Sequence, residues 1–240
     1  MLCVVVMVMA GCGGHHRTPT ASVPPPPEAG STRSAVNAPA ATAPVIEPEP
    51  EAPVPPNAKV IYTETGWASW YGPSYHKRKA ANGEVYDMNA MTAAHRTLPL
   101  NSLARVTNLK TGHSELLRIT DRGPFVNNRI IDLSRTAAQK LDVYRPGTAQ
   151  VKIEVLQSPV PIDQGGKWCV QIGAFKNSDD ATALKDRLVR RYRSAKILQF
   201  TSPIGEDWLR VRVVDDDKQR AQALIQETHT DAGMFLVRLD

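Results

Sequence analysis

Cysteine is scarce in this 240-residue chain. There are three, and only Cys169 lies beyond residue 65. That leaves no pair for a disulfide between folded segments and no C-x-x-C for metal or redox work. Within its apolar run, Cys169 reads as a buried, inert thiol. His76, His95 and His113 lack the spacing of a ligand set, and neither a phosphate-binding loop nor a dinucleotide fingerprint occurs, so no metal and no cofactor are expected. Long apolar runs are missing too: the uncharged stretch from Met1 to Gly11 falls short of the about 20 residues that cross a bilayer. No Lys or Arg precedes Arg17, so the basic opening of a signal peptide is absent from this stretch.

What the N-terminus does have is an apolar core of signal-peptide length, roughly 7–15 residues. It runs into Met9-Ala10-Gly11-Cys12, which resembles a bacterial lipobox. The resemblance implies a signal peptide over 1–11 and lipidation at Cys12. Several acyl chains, at about 0.8 kcal/mol per buried methylene, then give a stable anchor. Gly13 follows where an aspartate would signal inner-membrane retention, so the expected location is the outer membrane, facing the periplasm. Residues 12–65 hold twelve of the 19 prolines. Such a segment buries too little apolar surface to offset its ordering entropy and reads as a disordered tether. At about 3.1 Å per extended residue it reaches on the order of 150 Å, far enough to join a membrane to a cell-wall layer.

Two folded segments follow. Residues 66–157 contain short β-type runs punctuated by Gly, Pro, Asn and Asp, with one short helix after Ser134 as N-cap, its apolar positions at Ala137, Ala138 and Leu141. Many short strands in about 90 residues predict a small all-β closed barrel. Lys and Arg number 13 here against seven Asp and Glu, a basic balance suited to an anionic polymer. Nucleic acid and cell-wall material both qualify; the export signal favours the wall. After a linker at 158–166, residues 167–240 read β-α-β-β-α-β, an α+β ferredoxin-like pattern of four antiparallel strands with two helices on one face. The basic-aromatic signature of RNA-binding modules on that fold is absent, so no nucleic acid is expected.

Between Trp67 and Ser134 the chain reads GWASWYG, ANGEVYD, TAAHRTLPL, VTN, DRGPF and RIIDLS. On these motifs residues 66–157 resemble the double-psi β-barrel of the rare lipoprotein A family of lytic transglycosylases. WCVQIGAF, Trp168 to Phe175, makes 167–240 similar to a SPOR domain, a module that binds peptide-stripped glycan. The resemblance implies endolytic cleavage of the β-1,4 bond between N-acetylmuramic acid and N-acetylglucosamine, without water, leaving a 1,6-anhydro end. It also implies a preference for denuded strands, a place at the division septum, and contact with septal division proteins. The family's catalytic pair falls on Glu84 and Asp121.

Read as chemistry, Asp121 opens a Gly-Pro turn and is either a turn former or a general acid that protonates the leaving oxygen and then takes the proton of the attacking hydroxyl. Glu84, after the Asn82-Gly83 turn, is the expected neighbouring carboxylate; the two roles are exchangeable. His95 is either structural or the imidazole that orients a carboxylate. Trp70, Tyr71 and Tyr75 offer faces for sugar rings. Arg122 and Arg129 offer forked donors for a muramyl carboxylate. On the first strand of the second segment, alternation sets Gln171 and Phe175, with Cys169, on the side away from the helices, facing ligand. A non-catalytic, expansin-like peptidoglycan-binding lipoprotein is the alternative reading, and a hydrolase that admits water is a third.

Overall fold

A computed structural model describes residues 58–240. The signal peptide expected at 1–11, the lipidation expected at Cys12 and the part of the expected tether up to residue 57 lie outside the described residues.

Six strands, β1 (Tyr62–Trp70), β2 (Thr92–His95), β3 (Leu103–Asn108), β4 (Ser114–Asp121), β5 (Arg129–Leu133) and β6 (Ala149–Gln157), close a barrel in the order β1-β5-β2-β4-β3-β6. The pairs β1–β5 and β2–β4 run parallel, the others antiparallel. This crossed order is the double-psi β-barrel. Strand period fills it: Leu117 and Ile119 on β4, Ile131 and Leu133 on β5, and Val151, Ile153 and Val155 on β6 all point inward and are fully buried. At the β1–β5 crossing, a Cβ on Gly66 would lie 2.8 Å from the Ile130 side chain, so only glycine fits there. β1 begins at Tyr62, inside the stretch expected as tether, because Tyr62 and Glu64 turn inward while Thr63 and Thr65 stay exposed. The helix α1 (Arg135–Lys140) is capped as expected: Ser134 Oγ accepts from Ala137 N at 3.2 Å and donates to the Ala90 carbonyl at 2.6 Å.

The second segment is β7 (Trp168–Phe175), α2 (Ser178–Arg191), β8 (Lys196–Thr201), β9 (Asp207–Arg212), α3 (Lys218–Glu227) and β10 (Gly233–Arg238), with antiparallel sheet order β10-β7-β9-β8. Asn177 caps α2 and Asp217 caps α3 through side-chain oxygens. Val170, Ile172, Leu209 and Val211 pack beneath Ala181, Leu184, Leu188, Ala221 and Leu224. Val189, the neighbour of Leu188 on α2, lies at the margin of this face and is exposed.

The opposite side of the sheet is not open along its whole length. Cys169, Trp208, Phe235 and Val237 are buried there, with Phe125 of the barrel's β4–β5 loop packed against them. The Phe125 ring lies 5.5 Å from that of Trp208 and 5.9 Å from that of Phe235. Burying a ring of this kind stabilises by about 2–3 kcal/mol. Main-chain bonds add to the seam: Arg238 N donates to the Arg96 carbonyl at 2.9 Å, and Leu100 N to the Asp240 carbonyl at 3.3 Å. Burial pushes the Cys169 thiol up to about 11, which suits an inert residue.

Phe175 departs from expectation. The β7–β9 register slips between Ile172 and Phe175, where the Trp208 ring occupies the place a Gly173 Cβ would take. Past this bulge the alternation reverses: Ala174 joins the Trp208 side and Phe175 turns into the helix-covered core. Phe175 is therefore not beside Gln171 on the outer face.

Candidate active site

Where the barrel and the sheet meet, a cleft of about 1030 Å³ opens. Ala94, near the end of β2, lies at the barrel side of it. Ala94 pairs with Asp121 of β4 on one flank and with Asp132 of β5 on the other. Residues directly opposite one another across strands share a face, and two interstrand steps of about 4.8 Å put the two aspartate Cα atoms about 10 Å apart. All three residues line the cleft. A methyl group between two carboxyls leaves space that a larger side chain would fill.

Asp121 ends β4. Its Oδ1 accepts two backbone N–H groups, from Arg122 at 2.8 Å and from Ala81 at 3.0 Å. Burial raises its carboxyl above the usual range; those bonds and the charges of Arg122 and Arg210 oppose the rise. Asp132 is the residue that sequence reading passed over. It is the one carboxylate of β5, set between inward-pointing Ile131 and Leu133, and that oddity was the available signal. Burial raises it to about 6 despite Arg129 and Arg96. Its Oδ2 accepts from Arg129 Nη2 at 3.2 Å, and its buried Oδ1 has no hydrogen-bond partner among the described residues.

Three expected site residues do other work. Glu84 does not line the cleft: its two oxygens take a forked pair from Arg118, at 2.6 and 2.8 Å, and that guanidinium holds its carboxyl below the usual range. It is thus an ionised anchor of the 80–84 loop, the loop whose Ala81 N–H holds Asp121. His95 orients neither Asp121 nor Glu84. It is buried; its Nδ1 accepts from Leu98 N at 3.0 Å and Thr97 N at 3.2 Å, and its Nε2 donates to Glu64 at 3.1 Å. Burial lowers its pKa, so it stays neutral and pins the loop after β2. Arg122 lines the cleft, but its guanidinium is spent on backbone carbonyls: Nη1 on His95 at 3.0 Å and Leu98 at 2.7 Å, Nη2 on Asp240 at 2.7 Å. Its planar fork fits those carbonyls and leaves little for a ligand. Arg129 pairs with Asp132.

The aromatic residues do reach the cleft. Trp70 lines it and packs on Tyr144 at 4.7 Å between centroids; Tyr71 lines it and sits between Tyr86, at 4.4 Å, and Tyr75, at 6.1 Å. From the opposite wall, Gln171 is buried and its Oε1 accepts from Arg210 Nη2 at 3.2 Å. Strand alternation placed Gln171 on this side; that its neighbour across the gap is a barrel cleft was not legible in local sequence.

Residues 63–153 match the family described as "Lytic transglycolase", and residues 164–235 match the SPOR domain. Fold and cleft therefore define a two-module class, a lytic-transglycolase double-psi barrel followed by a SPOR sheet. Proteins named endolytic peptidoglycan transglycosylase RlpA are similar to this chain. That of Campylobacter jejuni is 44% identical over 166 residues, 59% of this chain and 60% of that protein. That of Neisseria meningitidis serogroup A is 46% identical over 143 residues, with 59% and 60% covered. That of Vibrio cholerae is 53% identical over 100 residues, with 42% and 38% covered. The chain is similar to these RlpA proteins through both modules, and spans about 60% or less of their length.

Proposed function

We propose that this protein is an endolytic peptidoglycan lytic transglycosylase. The observation that carries the reading is the pair Asp121 and Asp132, set either side of Ala94 in a cleft walled by aromatic rings. Asp132, with its carboxyl raised to about 6, is the proton donor to the glycosidic oxygen. As the bond breaks, positive charge develops at C1 of the muramyl residue and the ionised Asp121 stabilises it. The muramyl C6 hydroxyl attacks C1, and Asp132, now a carboxylate, accepts that proton. Its state after the first step is the one the second step needs. No water is consumed, and the products are a free 4-hydroxyl and a 1,6-anhydro end. Trp70 and Tyr71 cover the apolar faces of the sugar rings.

The SPOR module supports binding of peptide-stripped strands and enrichment at the septum, where division proteins are the expected partners. The lipobox supports an outer-membrane lipoprotein facing the periplasm. The full chain, incubated with peptide-stripped glycan, is expected to release fragments whose muramyl ends are lighter by one water than hydrolysed ends. Fragments with hydrolysed ends would make it a hydrolase. Binding with no fragments would make it an expansin-like wall-binding protein.

A further inference from the structure

Two of the cleft's walls belong to different modules, and the sheet brings a cation to the barrel's carboxylates. Arg210 lies on β9 with Trp208, on the side away from the helices, and lines the same cleft as Asp121. It is held from two directions: Nη2 donates to Gln171 at 3.2 Å, and the guanidinium carbon stacks 5.3 Å from the Phe200 ring centroid. Its Nε is buried without a partner, and no carboxylate among the described residues forms an ion pair with it. Among the barrel arginines that line the cleft, Arg122 donates to three carbonyls, Arg129 pairs with Asp132, and Arg78 Nε donates to the Ser74 carbonyl at 3.0 Å. The Phe125–Trp208–Phe235 seam keeps β9 against the DRGPF loop that begins at Asp121.

We propose that the reaction site is composite, with Arg210 of the C-terminal sheet as a positioning residue for Asp121 of the barrel. Its positive charge keeps Asp121 ionised inside a desolvated cleft, so that the carboxylate is ready for the cationic transition state. The cleft that holds Asp121 is also lined by Arg122 on its own loop, Arg78 and Lys79, Arg129 with its partner Asp132, Glu206, and the phenols of Tyr71, Tyr75 and Tyr86. Of the two cations whose charge lowers the Asp121 carboxyl, Arg122 and Arg210, only Arg210 comes from the other module and has no main-chain carbonyl to serve. Its field already lowers the Asp121 carboxyl against the effect of burial.

The test uses the full chain and the variants Arg210→Gln and Arg210→Lys. The kinetic arm rests on the cleavage reading. With peptide-stripped glycan, Arg210→Gln is expected to move the acidic limb of the kcat profile upward by about half a pH unit or more, a threefold change in the proton equilibrium. Arg210→Lys should restore most of it. The second arm needs no turnover: the Asp121 carboxyl carbon, followed by NMR titration, should titrate higher in Arg210→Gln by a similar amount and return in Arg210→Lys. If Arg210→Gln raises KM alone, leaving the acidic limb and the Asp121 titration where they were, Arg210 is a ligand contact of the sheet and the composite site is wrong. A wild type that releases no anhydro ends, yet shows the Asp121 shift, overturns the cleavage reading and keeps this one. Should Arg210→Gln unfold, Gln171→Leu is the second variant. It frees Nη2 and is expected to give a smaller shift of the same sign; no shift would refute the proposal.

Discussion

Replacing Asp132 by asparagine should make the protein more stable at neutral pH while destroying its activity. The carboxyl titrates near 3.8 in an unfolded chain and is raised to about 6 by burial in the fold. A folded-state pKa above the unfolded one means that ionisation opposes folding. Below about pH 4 both states are protonated and nothing is lost. Between about 4 and 6 the unfolded chain releases its proton first, and stability falls as pH rises. Above about 6 the penalty is constant, at about 3 kcal/mol, from 1.36 kcal/mol per pKa unit. Asparagine keeps the shape and abolishes that penalty. The value of about 6 already includes the opposing pull of Arg129 and Arg96, so the lost ion pair needs no separate subtraction. The net gain is about 3 kcal/mol at pH 7.5, shrinking toward zero at pH 4. Urea unfolding of wild type and Asp132→Asn at both pH values measures it. A variant less stable at pH 7.5, or a difference independent of pH, would refute the account of Asp132 as a carboxyl held against its ionisation.

Asp121→Asn is expected to lower anhydro-product formation at least a hundredfold while leaving the melting temperature within a few degrees, as mass analysis and thermal unfolding will show. Glu84→Gln releases the Arg118 anchor of the loop that holds Asp121. It should lower kcat about tenfold or more with KM little changed, and an unaltered kcat would return the loop to a passive role. Because Asp132 must be protonated to act, kcat should fall about tenfold per pH unit above about 6; a profile flat from pH 5 to 8 would remove it from that role. Cys12→Ser should yield a chain without acyl groups by intact-mass measurement, and an acylated variant would dismiss the lipobox.

Local chemistry was readable in the chain, and long-range pairing was not. Ser134 could be named a helix cap because capping depends on its neighbours, and alternation placed Gln171 on the correct side of β7 because nothing interrupts it before Gly173. Phe175 was misplaced because the bulge that reverses its side arises from the Trp208 ring, about 35 residues away in sequence. The DRGPF motif pointed to Asp121, but Asp132 becomes its counterpart only through β2, which pairs parallel with one strand and antiparallel with the other. Glu84 and His95 were plausible partners by type. Their actual partners, Arg118 and Glu64, come from strands whose register no local pattern announces. Arg122 was misjudged because exposed arginines and arginines that clamp carbonyls look alike in one dimension.

The position of Ala94 makes the barrel a ruler. The gap between Asp121 and Asp132 is counted in strand spacings, one on each side of β2, with the β2–β4 register shifting between Ala93 and Ala94. No side-chain replacement can widen or narrow that unit while the sheet remains paired. The spacing of the two carboxyls is therefore inherited with the topology, and substitutions can adjust their acidity, or the bulk of residue 94 between them, without altering that spacing. Ala94→Val alone would occupy the gap and silence the site with both acids still in place.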